Sequence, residues 1–189
     1  MGFPVLEYTI DGDALLVTQS RFLADPTNAN NQTIVPSPFD YKWDVPISFK
    51  TDKSPVAQIQ WLKMEDANGT FIEGLHYNEC PFYHFFCVPV RIPLNGASWI
   101  KLNAGQNGFF RVNYDAKHWE ALRTALASNV SALDPADRWG IIDDAFGLAA
   151  AGSLSYETAL AAAEFLKNDR HPVPWISASD VNITFRTNC

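Results

Sequence analysis

Residues 98–128 read SWIKLNAGQNGFFRVNYDAKHWEALRTALAS, and the fold turns on where this stretch changes period. As far as Tyr114 the apolar residues alternate with polar ones, the spacing of half-buried strands. Gly105-Gln106-Asn107-Gly108 stands between two such runs, Ser98 to Asn103 and Phe109 to Tyr114, and its Asn-Gly pair predicts a hairpin turn. Beyond Asp115 the apolar positions become Trp119, Leu122 and Leu126, steps of three and four that put them on one helical stripe. The chain therefore divides into a β part, residues 1–114, and a helical part, residues 115–189.

Working back from this junction, short strands separated by turns account for the first part. Val5 to Ile10 and Ala14 to Phe22 flank Asp11-Gly12-Asp13 as a hairpin. The run from Asp25 to Asp40, with Pro26, Pro36 and Pro38, reads as an exposed loop. Lys42 to Lys50 resumes a strand with Trp43, Val45, Ile47 and Phe49 on one face, and Pro46 assigns it to a sheet edge. Val56 to Met64 is another strand, closed by a turn at Ala67-Asn68-Gly69. Several antiparallel strands of this length make a small sandwich.

Working forward, one helix covers Lys117 to Ala127. A second has Asp134 as cap, Pro135 at its first position, Asp137 in its first turn and Gly152 as terminator. Ser155 caps a third that runs to about Lys167, where Asn168-Asp169-Arg170-His171-Pro172 breaks it. Successive helices with short turns build a bundle or a solenoid, and this number of hairpins completes neither. The predicted class is mixed, an all-β sandwich followed by α-helical hairpins of a truncated bundle.

Among its 189 residues, 14 are basic and 21 acidic, a formal net charge of −7 that repels phosphate backbones and anionic lipid. Nucleic acid is excluded as a partner. The most apolar run, Pro81 to Val90, is about half the length that spans a bilayer and contains His84, so the chain has no membrane segment. Met1-Gly2-Phe3-Pro4 lacks the basic start of an export signal, and Leu6 stands where a myristoylation motif wants Ser or Thr. Asn31, Asn68, Asn129 and Asn182 each head an Asn-x-Ser/Thr sequon, which points to a parent made in the secretory pathway.

Four blocks in order carry a resemblance to the gluzincin zinc aminopeptidases, the family of aminopeptidase N, glutamyl aminopeptidase and the endoplasmic reticulum aminopeptidases. They are Met1 to Val5; Trp43-Asp44-Val45-Pro46-Ile47; Trp99 to Asn103 with Gly108 to Tyr114; and Asp137-Arg138 through Ala145-Phe146 to Leu154 to Leu160. The resemblance implies that the first three belong to a small sandwich downstream of the catalytic domain, and the fourth to the opening of a helical domain. It implies a parent that is extracellular, anchored in the plasma membrane or secretory, and that removes N-terminal amino acids from peptides. Zinc in such enzymes is held by a His-Glu-x-x-His helix and a later Glu, the substrate amine by Gly-x-Met-Glu-Asn, and the oxyanion by a Tyr. None of His76, His84, His118 and His171 stands in the zinc pattern. Lys63-Met64-Glu65-Asp66 shares two letters with the amine motif and reads as a solvated turn. No catalytic, metal or substrate-binding residue is carried over, and the isolated chain is expected to be inactive. Its expected partners are the parent's catalytic domain and remaining helices, with peptides and zinc belonging to that parent. The alternative is a free-standing secreted sandwich-plus-helix binding module without peptidase activity.

Ile72 to Ser98 exceeds the short connection that the resemblance implies. His76, Cys80, His84 and Cys87 could ligate a metal, although their spacing matches no zinc module; Cys80 and Cys87 could instead close a short loop as a disulfide. The preferred reading is a translated intron, because Phe- and Cys-rich residues before a resumed block are what a pyrimidine-rich splice site encodes. Asn182 to Cys189 prompts the same suspicion. Two bland readings complete the expectations. Asp143-Asp144 is assigned to a polar helix face, since adjacent helical residues point about 100° apart. Trp43, Trp61 and Trp99 are assigned to packing.

Overall fold

The computed structural model describes the backbone of residues 2–24, 41–64 and 90–187, and the side chains of these residues as far as 180. Its first elements are strands β1 (Pro4–Asp11) and β2 (Ala14–Arg21), joined by the two-residue turn Gly12-Asp13. Gly12 has φ +59°, the left-handed conformation that such a turn requires and that glycine adopts without steric cost. Strand β3 (Val45–Thr51) follows, then β4 (Gln58–Leu62), β5 (Val90–Pro93), β6 (Ile100–Leu102) and β7 (Arg111–Val112). They form two sheets, one in the order β5-β2-β1-β7 and one in the order β4-β3-β6. Leu6, Leu15, Ile47, Leu62, Ile92 and Leu102 are fully buried and belong to one apolar core shared by both sheets and the helices.

Three features depart from the sequence reading. Strand β3 is central, with β4 on one side and β6 on the other, so Pro46 is not on an edge strand. The proline is tolerated because β6 runs only beside Phe49 to Thr51, whereas Pro46 lies opposite Trp61 of β4. Residues 98–114 are not a hairpin: β6 pairs with β3 in one sheet and β7 pairs parallel to β1 in the other. The turn is diverted at Asn103, which takes a left-handed conformation and binds Gly108 through both side-chain atoms, each at 2.9 Å. A 3-10 turn at Ala104–Gln106 then carries the chain across. Finally, Val90–Pro93, part of the stretch read as intron, pairs antiparallel with Ala14 to Val17 and buries Val90 and Ile92. From Val90 onward that stretch builds the sheet. The loop at residues 25–40, the turn at 67–69 and the cysteine segment lie outside the described residues.

The helices are α1 (Ala116–Ser128), α2 (Pro135–Ala150), α3 (Tyr156–Ala162) and α4 (Pro172–Thr187). Asp115 caps α1 by accepting from the His118 amide at 2.8 Å, and Ser155 caps α3 by accepting from that of Thr158 at 3.1 Å. Helix α2 ends as its glycine predicts: Gly152 has φ +74°, its N–H reaches the Ala149 carbonyl and that of Ser153 reaches Leu148. Helix α4 starts at Pro172, read from the sequence only as a breaker; in a first turn neither Pro172 nor Pro174 needs an amide hydrogen. It packs along α2, as does α3.

Trp119, Leu122 and Leu126 are buried together as the stripe on α1 requires, and Trp43 and Trp99 pack partly against the core. Trp61 does not. It is half exposed on the outer face of β4, under the Lys63 ammonium at 4.8 Å.

Candidate functional site

The most heavily charged part of the described residues lies between the sheets and α2. Period two places Ile47 and Phe49 of β3 toward the sandwich core and turns Ser48 and Lys50 the other way. Lys50 stands directly opposite Lys101 of β6, and both are buried. Two opposed lysines repel one another unless carboxylates neutralise them. Helix α2 supplies these on one stripe, where Asp137, Gly140, Asp144 and Gly147 recur at steps of three and four. The glycines leave room: a Cβ on Gly140 would stand 1.9 Å from the Gln106 side chain, and one on Gly147 would stand 2.5 Å from the Arg111 guanidinium.

Lys50 Nζ lies 2.8 Å from Asp134 and 2.5 Å from Asp137. Asp134 sits at the N-cap position of α2 without bonding its backbone, since its carboxylate is turned to Lys50. Burial acts to lower the pKa of Lys50, but the bonds to Asp134 and Asp137 outweigh it and hold the lysine above its usual range. Asp137 also accepts from the Gly105 amide at 2.7 Å, which fixes the crossing turn on the helix. Lys101 is fully buried, donates to the Leu102 carbonyl at 2.5 Å, and is pushed below its usual pKa by that burial.

Arg111 of β7 completes the cluster. Its Nη1 donates to the carboxylate of Asp143 at 2.7 Å, to the carbonyl of Asp143 at 2.6 Å and to Asp144 at 3.4 Å, while Phe22 and Phe3 lie beneath the guanidinium. Asp144 further accepts from the Val112 amide at 3.2 Å. Burial raises its pKa to about 7, against the opposing pull of Lys101 and Arg111. The polar-face reading of Asp143-Asp144 is therefore overturned. The two carboxylates diverge as expected of neighbours on a helix, but the single Nη1 of Arg111 reaches both. Their signal in the sequence was the glycine at steps of three and four from each buried acid.

Lys50 and Arg111 on the strands bond Asp137, Asp143 and Asp144 of α2 and Asp134 at its cap, and hold the helix across both sheets. Lys50, Lys101, Asp137 and Asp144 are buried in this cluster, whereas the carboxylates of Asp134 and Asp143 reach the surface. A second fastening lies at the far side of α2, where Arg138 grips Asp169 at 2.7 and 3.2 Å and donates to the carbonyls of Val130 and Leu133. Tyr114, buried beside Trp119, bridges back to β6 by accepting from the Leu102 amide at 2.9 Å.

Of the sites foreseen from the sequence, Asn31, Asn68, His76, Cys80, His84 and Cys87 lie outside the described residues. Asn129 is exposed at the end of α1, with its Oδ1 accepting from the Ser131 amide at 3.0 Å. Asn182 lies within the backbone of α4. The turn at Lys63-Met64 is tied to Asp44, which accepts from the Met64 amide at 2.8 Å and pairs with Lys63. His118 contacts Asp115 at 3.1 Å, and His171 Nδ1 accepts from the Val173 amide at 3.3 Å. Among the described residues no three His, Cys, Asp or Glu side chains are grouped to hold a metal, and no helix is long and apolar enough to cross a membrane.

Comparison with known proteins places this architecture among relatives. Residues 99–186 match the family described as "ERAP1-like C-terminal domain". The match begins at Trp99, so it takes in β6 and β7 as well as the helices. The glutamyl aminopeptidase of Bitis rhinoceros is 34% identical over 175 residues, and that of Homo sapiens 33% over 175, in each case 93% of this chain. Aminopeptidase Ey of Gallus gallus is 32% identical over 179 residues, 94% of this chain. The chain spans 16% of the length of each of these relatives.

Proposed function

Because this chain belongs to the gluzincin zinc aminopeptidase family, we propose that it is a non-catalytic part of such an enzyme, a spacer, hinge and active-site cover. The parent removes N-terminal amino acids from peptides in the secretory pathway or at the cell surface, and supplies zinc, the catalytic domain and the remaining helices as partners. The observation that carries the reading is the similarity to glutamyl aminopeptidases over 93% of the chain, confined to 16% of theirs. The charged cluster supports the positional part: with Lys50 and Arg111 fastened to one helix, a displacement of the sandwich moves the helical hairpins with it. The residues described do not fit a zinc site, since His118 and His171 are engaged locally and Asp137 and Asp144 are bound to the strands. No step of peptide hydrolysis is assigned to them.

The test replaces the corresponding segment of a glutamyl aminopeptidase with this chain. The chimera is expected to fold and to retain chelator-sensitive release of amino acids, with kcat within about tenfold of the parent's. A folded chimera without activity would sink the reading. The isolated chain, given zinc and an aminoacyl anilide, is expected to show no turnover; turnover abolished by chelator and restored by zinc would overturn the assignment equally.

A further inference from the structure

Beyond the family reading, an open groove of about 450 Å³ runs between α1 and the turn that precedes β6. Lys117, Ala121, Ala125 and Ser128 form its helical wall at steps of three and four. Opposite stand Asp52 and Trp99, whose half-buried ring packs on the core by one side and lines the groove with the other. The small alanines keep the floor low. At its rim Arg123 holds Glu120, and Asp52 accepts from the Ser98 amide at 3.0 Å. Lys117 carries no hydrogen bond or ion pair among the described residues. An aromatic face among hydroxyl and charged groups suits a ligand with one apolar and one hydroxyl-rich face, as a pyranose has.

The groove ends at Ser128, and the next residue is Asn129 of the sequon Asn129-Val130-Ser131. Of the two sequons among the described residues, that at 182 lies inside a helix, whereas that at 129 lies in a turn, where α1 stops and a 3-10 turn begins. Asn129 is exposed, and its Oδ1 accepts from the Ser131 amide, the local turn that asparagine side chains favour. Its Nδ2 makes no hydrogen bond among the described residues. The acceptor nitrogen is thus free beside the groove.

We propose that Asn129 carries an N-linked glycan whose first N-acetylglucosamine units lie in the groove against Trp99. In the modification Nδ2 bonds to C1 of the first sugar of a lipid-diphosphate-linked oligosaccharide. The bond from C1 to the diphosphate oxygen breaks, the lipid diphosphate leaves, and the amide gives up one proton. The bound sugars cover the apolar floor at Ala121 and Ala125 and brace the end of α1 against the turn before β6.

The test uses the full chain behind a secretion signal, with an added acceptor sequon at its C-terminus, translated in the presence of microsomes. Only chains in which the added sequon is modified are scored. Asn129 is expected to be converted to Asp with oxygen-18 when amidase releases the glycan in labelled water, and Ser131→Ala is expected to abolish that label alone. Unlabelled Asn129 in scored chains overturns the proposal. For the groove, release from the native protein is expected to be about fivefold faster in Trp99→Ala, the factor that corresponds to one aromatic contact. Ala121→Arg, which fills the groove and leaves the Trp99 packing in place, is expected to do the same. Equal rates in wild type and both variants refute the seat on Trp99.

Discussion

Replacing Arg138 by Met removes one side chain and strands three partners. Arg138 is 5% exposed and Asp169 is 7% exposed, and the two share paired hydrogen bonds of 2.7 and 3.2 Å. The same guanidinium donates to the carbonyls of Val130, in the 3-10 turn before α2, and Leu133. Asp169 in turn accepts from the His171 amide at 2.9 Å, and its carbonyl accepts from Trp175 Nε1, so the pair fastens the start of α4 to α2. Met fills much of the volume but leaves a buried carboxylate with no cation, for which about 3–5 kcal/mol of destabilisation is expected. With a urea dependence of about 2 kcal/mol per molar, the unfolding midpoint should fall by about 2 M. Arg138→Met with Asp169→Asn should cost less than Arg138→Met alone, since the uncompensated charge is gone while the His171 amide keeps an acceptor. Equilibrium urea unfolding followed by circular dichroism measures all three proteins. A midpoint shift below about 0.5 M for the single variant would refute the reasoning.

Asp144 makes stability depend on pH. Its folded pKa of about 7 lies above the ordinary aspartate value of 3.8, so the folded state holds the proton more tightly. Its contribution is complete below about pH 4 and is lost as pH rises to 7, a change of about 4 kcal/mol. The groups facing it are Lys101 on β6, Arg111 on β7 and its helix neighbour Asp143. Asp144→Asn should flatten this slope in unfolding measured from pH 4 to 8; an unchanged slope would assign it elsewhere. Gly152→Ala should destabilise by about 1 kcal/mol, because the left-handed conformation strains any Cβ, here with no neighbouring atom to clash. A melting temperature equal to wild type would show that the cap relaxes.

Local chemistry was legible wherever a single residue type has one conformational use. Gly12, Gly152 and Ser155 mark their turns and caps, and Trp119, Leu122 and Leu126 mark the buried stripe. The misread elements all depend on a partner distant in sequence. Asn107-Gly108 has the composition of a hairpin turn, yet Asn103 and the contact of Gly105 with Asp137 divert the chain to the other sheet. Pro46 suggests an edge, but β6 is too short to reach it. Lys50, Lys101, Arg111 and Asp144 look like surface charges, and only the crossing of α2 over the strands makes them buried partners. Four family blocks spread along the chain carried the family where periodicity alone did not.

The parallel pairing of β7 with β1 has a consequence for synthesis. Val5 and Leu6 meet Arg111 and Val112 only after about a hundred further residues have been made. At translation rates of about 5–20 residues per second, the far edge of the first hairpin waits some 5–20 seconds with its backbone groups unpaired. Long-range closure of this kind slows folding. The interval is when a nascent chain of this sequence is open to mispairing along β1, so a holding chaperone would act on it then.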